Sequence, residues 1–205
     1  MPASVSTAPT TALAPRERIL ATAARLFYAQ GVRATGIDQI IAEAVVAKAT
    51  LYYHFPAKTD LVRAYLARRH DAWLGEFSAH LAKSRRRGLP ALADALGRWF
   101  ESGDFNGCAF INVTAESAED EWRQISCAHK GALRELIAGR LDPALSPARR
   151  AALSAQALLV VEGLIVRYQM TRDAAVVDEG RALLASSRWV RTRASTSAAS
   201  KGFTM

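Results

Sequence analysis

Apolar residues recur at three- and four-residue spacing along most of the 205-residue chain, and nowhere alternate as a half-buried strand requires. A first helix is predicted over Pro15–Gln30. Ile19, Ala23, Leu26 and Phe27 form its buried face, Pro15 suits its first turn, and Gly31 follows as a stop. Thr35 with Asp38 three residues on resembles a capping box and opens a short helix over 36–44, with Ile37, Ile40 and Ile41 facing inward. After a tight turn a third short helix covers Lys48–His54, and Pro56 breaks the chain. A long helix over Lys58–Lys83 follows, with Leu66, Trp73, Phe77 and Leu81 near one face. Further helices are predicted over 89–101, 108–117, 120–141, 147–170 and 174–190, making about nine in an all-α protein. The segments 1–12 and 191–205, rich in Ser, Thr and Ala, are expected to be a disordered arm and tail.

Three short helices within about 45 residues, the last two joined by a tight turn, are the parts of a helix-turn-helix unit. In such a unit the second helix braces the first, and the third is free to enter the DNA major groove. Residues 48–55, KATLYYHF, carry what that position needs. Lys48 can neutralise a phosphate beside the positive helix end. Thr50, Tyr52, Tyr53 and His54 offer polar groups to phosphates or base edges, while Leu51 and Phe55 anchor the helix. Two positions run against local preference. Val45 stands in the turn, where a β-branched residue is costly at positive φ, and Ala47 stands where a Ser cap would be natural.

The stretch ILATAARLFYAQGVRATGIDQIIAEA, VVA and KATLYYHFPAKTDLV resembles the N-terminal signature of the TetR/AcrR family over nearly 50 residues. The resemblance implies an N-terminal three-helix DNA-binding domain over 13–57. It implies a C-terminal effector-binding and dimerisation domain over 58–190. It also implies a homodimer through the last two helices, reading a two-fold symmetric double-stranded DNA operator and responding to a small-molecule effector. Carried over position by position, Thr35, Lys48, Thr50, Tyr52, Tyr53, His54 and Lys58 are the expected DNA-facing set. The family usually has Gly where this chain has Val45, so Val45 is expected to weaken the unit.

The effector pocket is expected among Trp73, Phe77, Trp99, Phe110, Trp122 and Tyr168, each of which packing alone would also explain. Residues 106–116, NGCAFINVTAE, resemble a motif of one subgroup of TetR-type C-terminal domains, G-C-x-x-x-N-x-x-x-E. On a helix Cys108, Asn112 and Glu116 share a face, so Asn112 and Glu116 join the pocket candidates and Cys108 is a candidate redox thiol. A solvent-facing or internally bonded stripe is the alternative. The apolar, aromatic character of the set points to a lipophilic or aromatic effector.

Composition narrows the field. Half the residues are apolar and 22% charged, as in a globular protein with a core. The net charge of +8 says less about DNA than it promises. Residues 13–60 hold six basic against four acidic side chains, while 61–88 hold seven against two, including Arg85–Arg87. Two cysteines without metal spacing, no signal-peptide pattern at the N-terminus and a polar-interrupted apolar run at 151–166 fit a cytoplasmic protein without a membrane span. No cofactor or metal site is indicated, and no phosphate loop, H-E-x-x-H or nucleophile elbow argues for an enzyme. A TetR-like activator, a redox-sensing regulator acting through Cys108 and an architectural DNA-binding protein remain as rivals to a ligand-responsive repressor.

Overall fold

The computed structural model describes residues 13–117 and 119–186; the expected arm over 1–12 and tail over 191–205 lie outside the described residues. Among those residues the chain is helical and has no strand. Its elements are α1 (Pro15–Gln30), α2 (Ile37–Ala44), α3 (Lys48–His54), α4 (Lys58–Lys83), α5 (Pro90–Phe100), α6 (Ala109–Glu116), α7 (Asp120–Ala138), α8 (Pro147–Thr171) and α9 (Ala175–Ala185). α1 lies against α2, α3 and α4, and α4 continues to α5, α6 and α7. α8 packs between α7 and α9, and α9 closes on α5.

The apolar spacing of α1, α2 and α3 makes one small core. Ile19, Ala23, Leu26 and Phe27 of α1 meet Ile40 and Ala44 of α2 and Leu51 of α3, all buried, with Phe55 closing the end. This core runs on into α4, where Leu61, Val62 and Tyr65 are buried and Tyr65 meets the Phe27 ring edge-on at 5.6 Å. The first turns of α4 therefore belong to both halves of the molecule. Its later stripe, Leu66, Trp73, Phe77 and Leu81, is buried against the C-terminal helices.

The helix ends explain where sequence and structure part. Thr35 does not cap α2. Its hydroxyl donates to the Gly31 carbonyl at 2.7 Å, leaving Gly36 as the N-cap residue without a side-chain bond. Gly31 holds φ +91°, the positive value that favours glycine, and its N–H closes α1 on the Phe27 carbonyl. Val45 has φ 53° and ψ 58°, the left-handed conformation that costs an L-residue about 1–2 kcal/mol. Arg18 steadies that turn, with Nε donating to the Ala44 carbonyl and Nη2 to the Val45 carbonyl, both at 3.2 Å. α3 starts at Ala47 without a side-chain cap. α4 starts at Ala57, whose N–H is accepted by Asp60 Oδ2 at 3.0 Å, the reciprocal half of a capping box.

α8 extends beyond the apolar run at 151–166. The whole helix has 25 residues and is long and apolar enough to cross a bilayer by length and composition. Core helices pass the same test, and this one buries Leu153, Ala157, Val161, Leu164 and Ile165 inside the fold.

Candidate DNA interface and ligand cavities

α3 is anchored from below and open above. Leu51 is buried and Phe55 follows at its end, with the Arg16 guanidinium 5.2 Å from the Phe55 ring centre. The side chains between these anchors point away from the core. Tyr53 is 82% and Tyr52 41% exposed, and Tyr53 meets the His54 ring edge-on at 5.0 Å. Lys48 is exposed at the helix start and lies 3.7 Å from Asp38, a loose pair that a phosphate can displace. Thr50 and His54 are half-buried on the flanks.

Two expected DNA contacts are directed elsewhere. Thr35 is wholly buried, because its hydroxyl serves the turn after α1. Lys58 turns inward, donating from Nζ to the Val32 carbonyl at 2.6 Å and the Thr35 carbonyl at 2.7 Å. Burial holds its ammonium below the usual lysine range, and the Glu116 carboxylate works against that shift. Lys58 thus ties the α1–α2 loop to the start of α4.

The polar face of α6 has the same kind of task. Glu116 Oε2 accepts the Arg33 N–H at 2.7 Å and lies against Gly31, where a Cβ would come within 2.6 Å of Glu116 Oε1. Asn112 donates from Nδ2 to the Asn106 carbonyl at 2.9 Å and accepts from Gln169 Nε2 at 3.3 Å. Asn106 donates from Nδ2 to the Tyr28 carbonyl at 2.6 Å, and the Tyr28 hydroxyl donates to the Gly107 carbonyl at 2.9 Å. Gly107 sits at φ +79°, and a Cβ there would strike the Gln169 amide at 2.2 Å. A continuous chain of hydrogen bonds therefore runs from α8 through α6 to the end of α1. The stripe of Asn112 and Glu116 faces the α1–α2 loop and α8.

The aromatic candidates form the core of the C-terminal half. Trp73 stacks on Phe77 at 4.7 Å and meets Trp99 edge-on at 5.3 Å. Tyr168 stacks on Phe100 at 4.4 Å, and Trp122 is buried. A closed slot of about 10 Å³ lies among Trp73, Trp99, Cys108, Phe110, His129 and Lys130. Phe77, with Trp73, Glu76, His80 and Trp99, borders a second void of the same size. Neither admits more than about one water. His129 stacks on Phe110 at 3.7 Å, with its Nδ1 3.1 Å from that of His70. Burial, with Lys130, His70 and Arg69 nearby, pushes His129 down to about 3, so it is neutral at pH 7.

Roomier cavities lie elsewhere, and the most apolar of them is on α6, α7 and α8. A groove of about 670 Å³ opens between α6, α7 and α8, within the ordinary range for a small-molecule site. Phe110, Ile111, Ala115 and Leu158 supply apolar walls, and Lys130, Arg134 and Glu162 its charges. Lys130 Nζ lies 2.8 Å from Glu162 Oε1 and 3.3 Å from Cys108 Sγ.

Residues 19–65 match the family model for bacterial regulatory proteins of the tetR family. The HTH-type transcriptional regulator LmrA of Bacillus subtilis is 56% identical over 41 residues, 20% of this chain and 22% of that protein. The chain thus aligns with about a fifth of the length of this curated relative. A TetR-family transcriptional regulator from Streptomyces coelicolor superposes with a TM-score of 0.67 at 26% identity, over 84% of this chain and 96% of that one. The chain is thus similar to TetR-family regulators, in sequence over residues 19–65 and in fold over most of its length. The multidrug binding protein EbrR, solved with malachite green, shares the fold with a TM-score of 0.66 at 23% identity, over 86% of this chain and 98% of that one. The named TetR-type relatives are transcriptional regulators, and with that likeness the enzyme reading falls away.

Of the expected cavity residues, Phe110 reaches the open groove; Trp73 and Trp99 border the narrow slot behind it. The residues missed in sequence were Ser126, Lys130, Arg134 and Glu162. Their signal was a pair of cations four apart on α7 opposite a lone carboxylate inside the apolar run of α8. Cys108, the redox candidate, is buried at the start of α6, whereas Cys127 is exposed along the groove.

Proposed function

We propose that this chain is a TetR-family regulator, a homodimeric transcriptional repressor that binds a two-fold symmetric operator and is released by a small apolar effector held in the α6–α7–α8 groove. Residues 13–57 act as the DNA-binding unit, and the rest of the chain as the effector and dimer unit, in the cytoplasm. The observation that carries this reading is α3. Lys48, Tyr52, Tyr53 and His54 project from a helix whose Leu51 and Phe55 are locked in the core. A short helix so anchored presents polar and aromatic groups to a major groove with little freedom left to lose.

The effector role of the groove is supported by its volume and its few polar groups in apolar walls. EbrR, a multidrug binding protein solved with malachite green, supports a ligand site in this architecture. Dimerisation is supported by the outer face of α8. Ala152, Gln156, Leu159, Gly163, Val166 and Met170 are exposed there at alternating four- and three-residue steps, the spacing of a helix-packing seam. Two copies joined on that seam would carry two α3 helices, as half-sites about one DNA turn (~34–36 Å) apart require.

The test is fluorescence anisotropy with the DNA upstream of the protein's own coding region. Wild type should bind with a steep salt dependence. Tyr53→Ala and Lys48→Ala should each weaken binding by about tenfold without lowering the melting temperature. Unchanged affinity in both variants would exclude α3 as the reading helix.

A further inference from the structure

We infer that the α6–α7–α8 groove selects an apolar carboxylate, an acid with one negative charge and an aromatic or branched body, whose charge is received by Lys130 and Arg134. This rests on the proposed effector role of the groove and names the chemical class of the ligand.

Charge at the groove is unbalanced. Lys130 and Arg134 lie four residues apart on α7 and so share a face, while the one facing carboxylate is Glu162 on α8. His129, behind the wall, is neutral and adds no charge. Lys130 stays an ammonium: burial works against it, but Cys108 and the Glu162 carboxylate outweigh that effect. Two cations against one anion leave an excess positive charge beside the apolar walls of Phe110, Ile111, Ala115 and Leu158. An incoming carboxylate restores neutrality; a lipophilic cation adds to the excess.

The donors are available as well. An ammonium has three protons. Lys130 forms an ion pair with Glu162 at 2.8 Å and directs one proton at Cys108 Sγ at 3.3 Å. Arg134 donates from Nε to Ser154 Oγ at 3.3 Å and from Nη2 to the Ala151 carbonyl at 2.9 Å, which fixes the guanidinium while leaving Nη1 for a ligand. The Thr114 hydroxyl donates to the Phe110 carbonyl at 2.8 Å and accepts from the Ser126 hydroxyl at 2.8 Å, so both protons are used within the wall and leave no competing donor. Cys127, on the same groove, is an exposed thiol that can report occupancy, because Cys108 is buried.

The test uses the full chain without DNA, titrated calorimetrically near neutral pH with 2-naphthoate and with its neutral amide, 2-naphthamide. Naphthoate should bind roughly tenfold more tightly, and Lys130→Met should erase most of that gap while leaving the amide unaffected. Glu162→Gln should tighten naphthoate by removing the competing carboxylate. Naphthoate should also slow modification of Cys127 by Ellman's reagent in the wild-type protein, a readout that needs no variant. Where Lys130→Met does not fold, Arg134→Met carries the same expectation. Equal affinity for acid and amide, no heat from either, preference for the cation crystal violet, or an undiminished gap in the variants would overturn the inference. Naphthoate binding with these properties in a protein that fails to bind its upstream DNA would support the site and overturn the repressor reading instead.

Discussion

Val45 shows how a single residue sets the quality of the DNA-binding unit. It sits at φ 53° while 71% exposed, so its side chain earns little burial for the strain it imposes. Glycine at this position removes about 1–2 kcal/mol of left-handed strain and gives back about 0.4–1 kcal/mol through the freer unfolded chain. Val45→Gly should therefore stabilise the protein by about 0.5–1 kcal/mol and raise Tm by about 2 °C. Thermal unfolding followed by circular dichroism measures this, and an unchanged or lower Tm would show that the turn is not strained. The departure at Val45 was legible in the sequence. The device that tolerates it was not, because Arg18 reaches the Ala44 and Val45 carbonyls from 26 and 27 residues away. Thr35 and Lys58 teach the same point. Their residue types suit phosphate contacts, yet the unsatisfied carbonyls of the α1–α2 loop claim them first.

At the level of helices, periodicity was a good guide to existence and a weaker one to partners. The bounds of α1, α3 and α4 follow from their apolar stripes and flanking Pro and Gly residues. The polar stripe of α6 was equally visible, but which surface it faced was not. Asn112 and Glu116 could serve a cavity or a neighbouring helix, and only the approach of α8 and the α1–α2 loop decides for the neighbours. On α8 two seams coexist, one buried in the fold and one exposed. Leu159 is 73% and Met170 78% exposed on the outer seam, so a charge there costs the isolated chain almost nothing. Leu159→Glu should leave helicity and monomer folding intact and convert a dimer to a monomer in light scattering coupled to size exclusion. Operator affinity should fall at least tenfold with it, since two half-sites then bind independently. A dimer of unchanged mass would place the interface elsewhere.

Across the whole molecule, two helices run from the C-terminal half, one from its aromatic core and one from the groove wall, to the core and loops of the N-terminal helices. The first is α4, whose early turns share the core of the DNA-binding unit and whose later turns carry Trp73 and Phe77. The second is α6. Phe110, Ile111, Thr114 and Ala115 form a wall of the groove, and the same short helix ends at Glu116 on the Arg33 N–H and Gly31. Eight residues of helix move as a stiff unit, so a ligand that shifts the wall also shifts the latch. Lys58 holds the other side of that loop, so a displaced Glu116 alters both its hydrogen bond and the charge opposite a partly buried ammonium. If coupling runs through this contact, Glu116→Ala should leave ligand affinity in the groove unchanged. It should cut the factor by which ligand weakens operator binding, with the reciprocal effect of DNA on ligand affinity reduced equally. Measuring both affinities with and without the other partner closes that thermodynamic square. A coupling factor identical to wild type would assign the transmission to α4 alone.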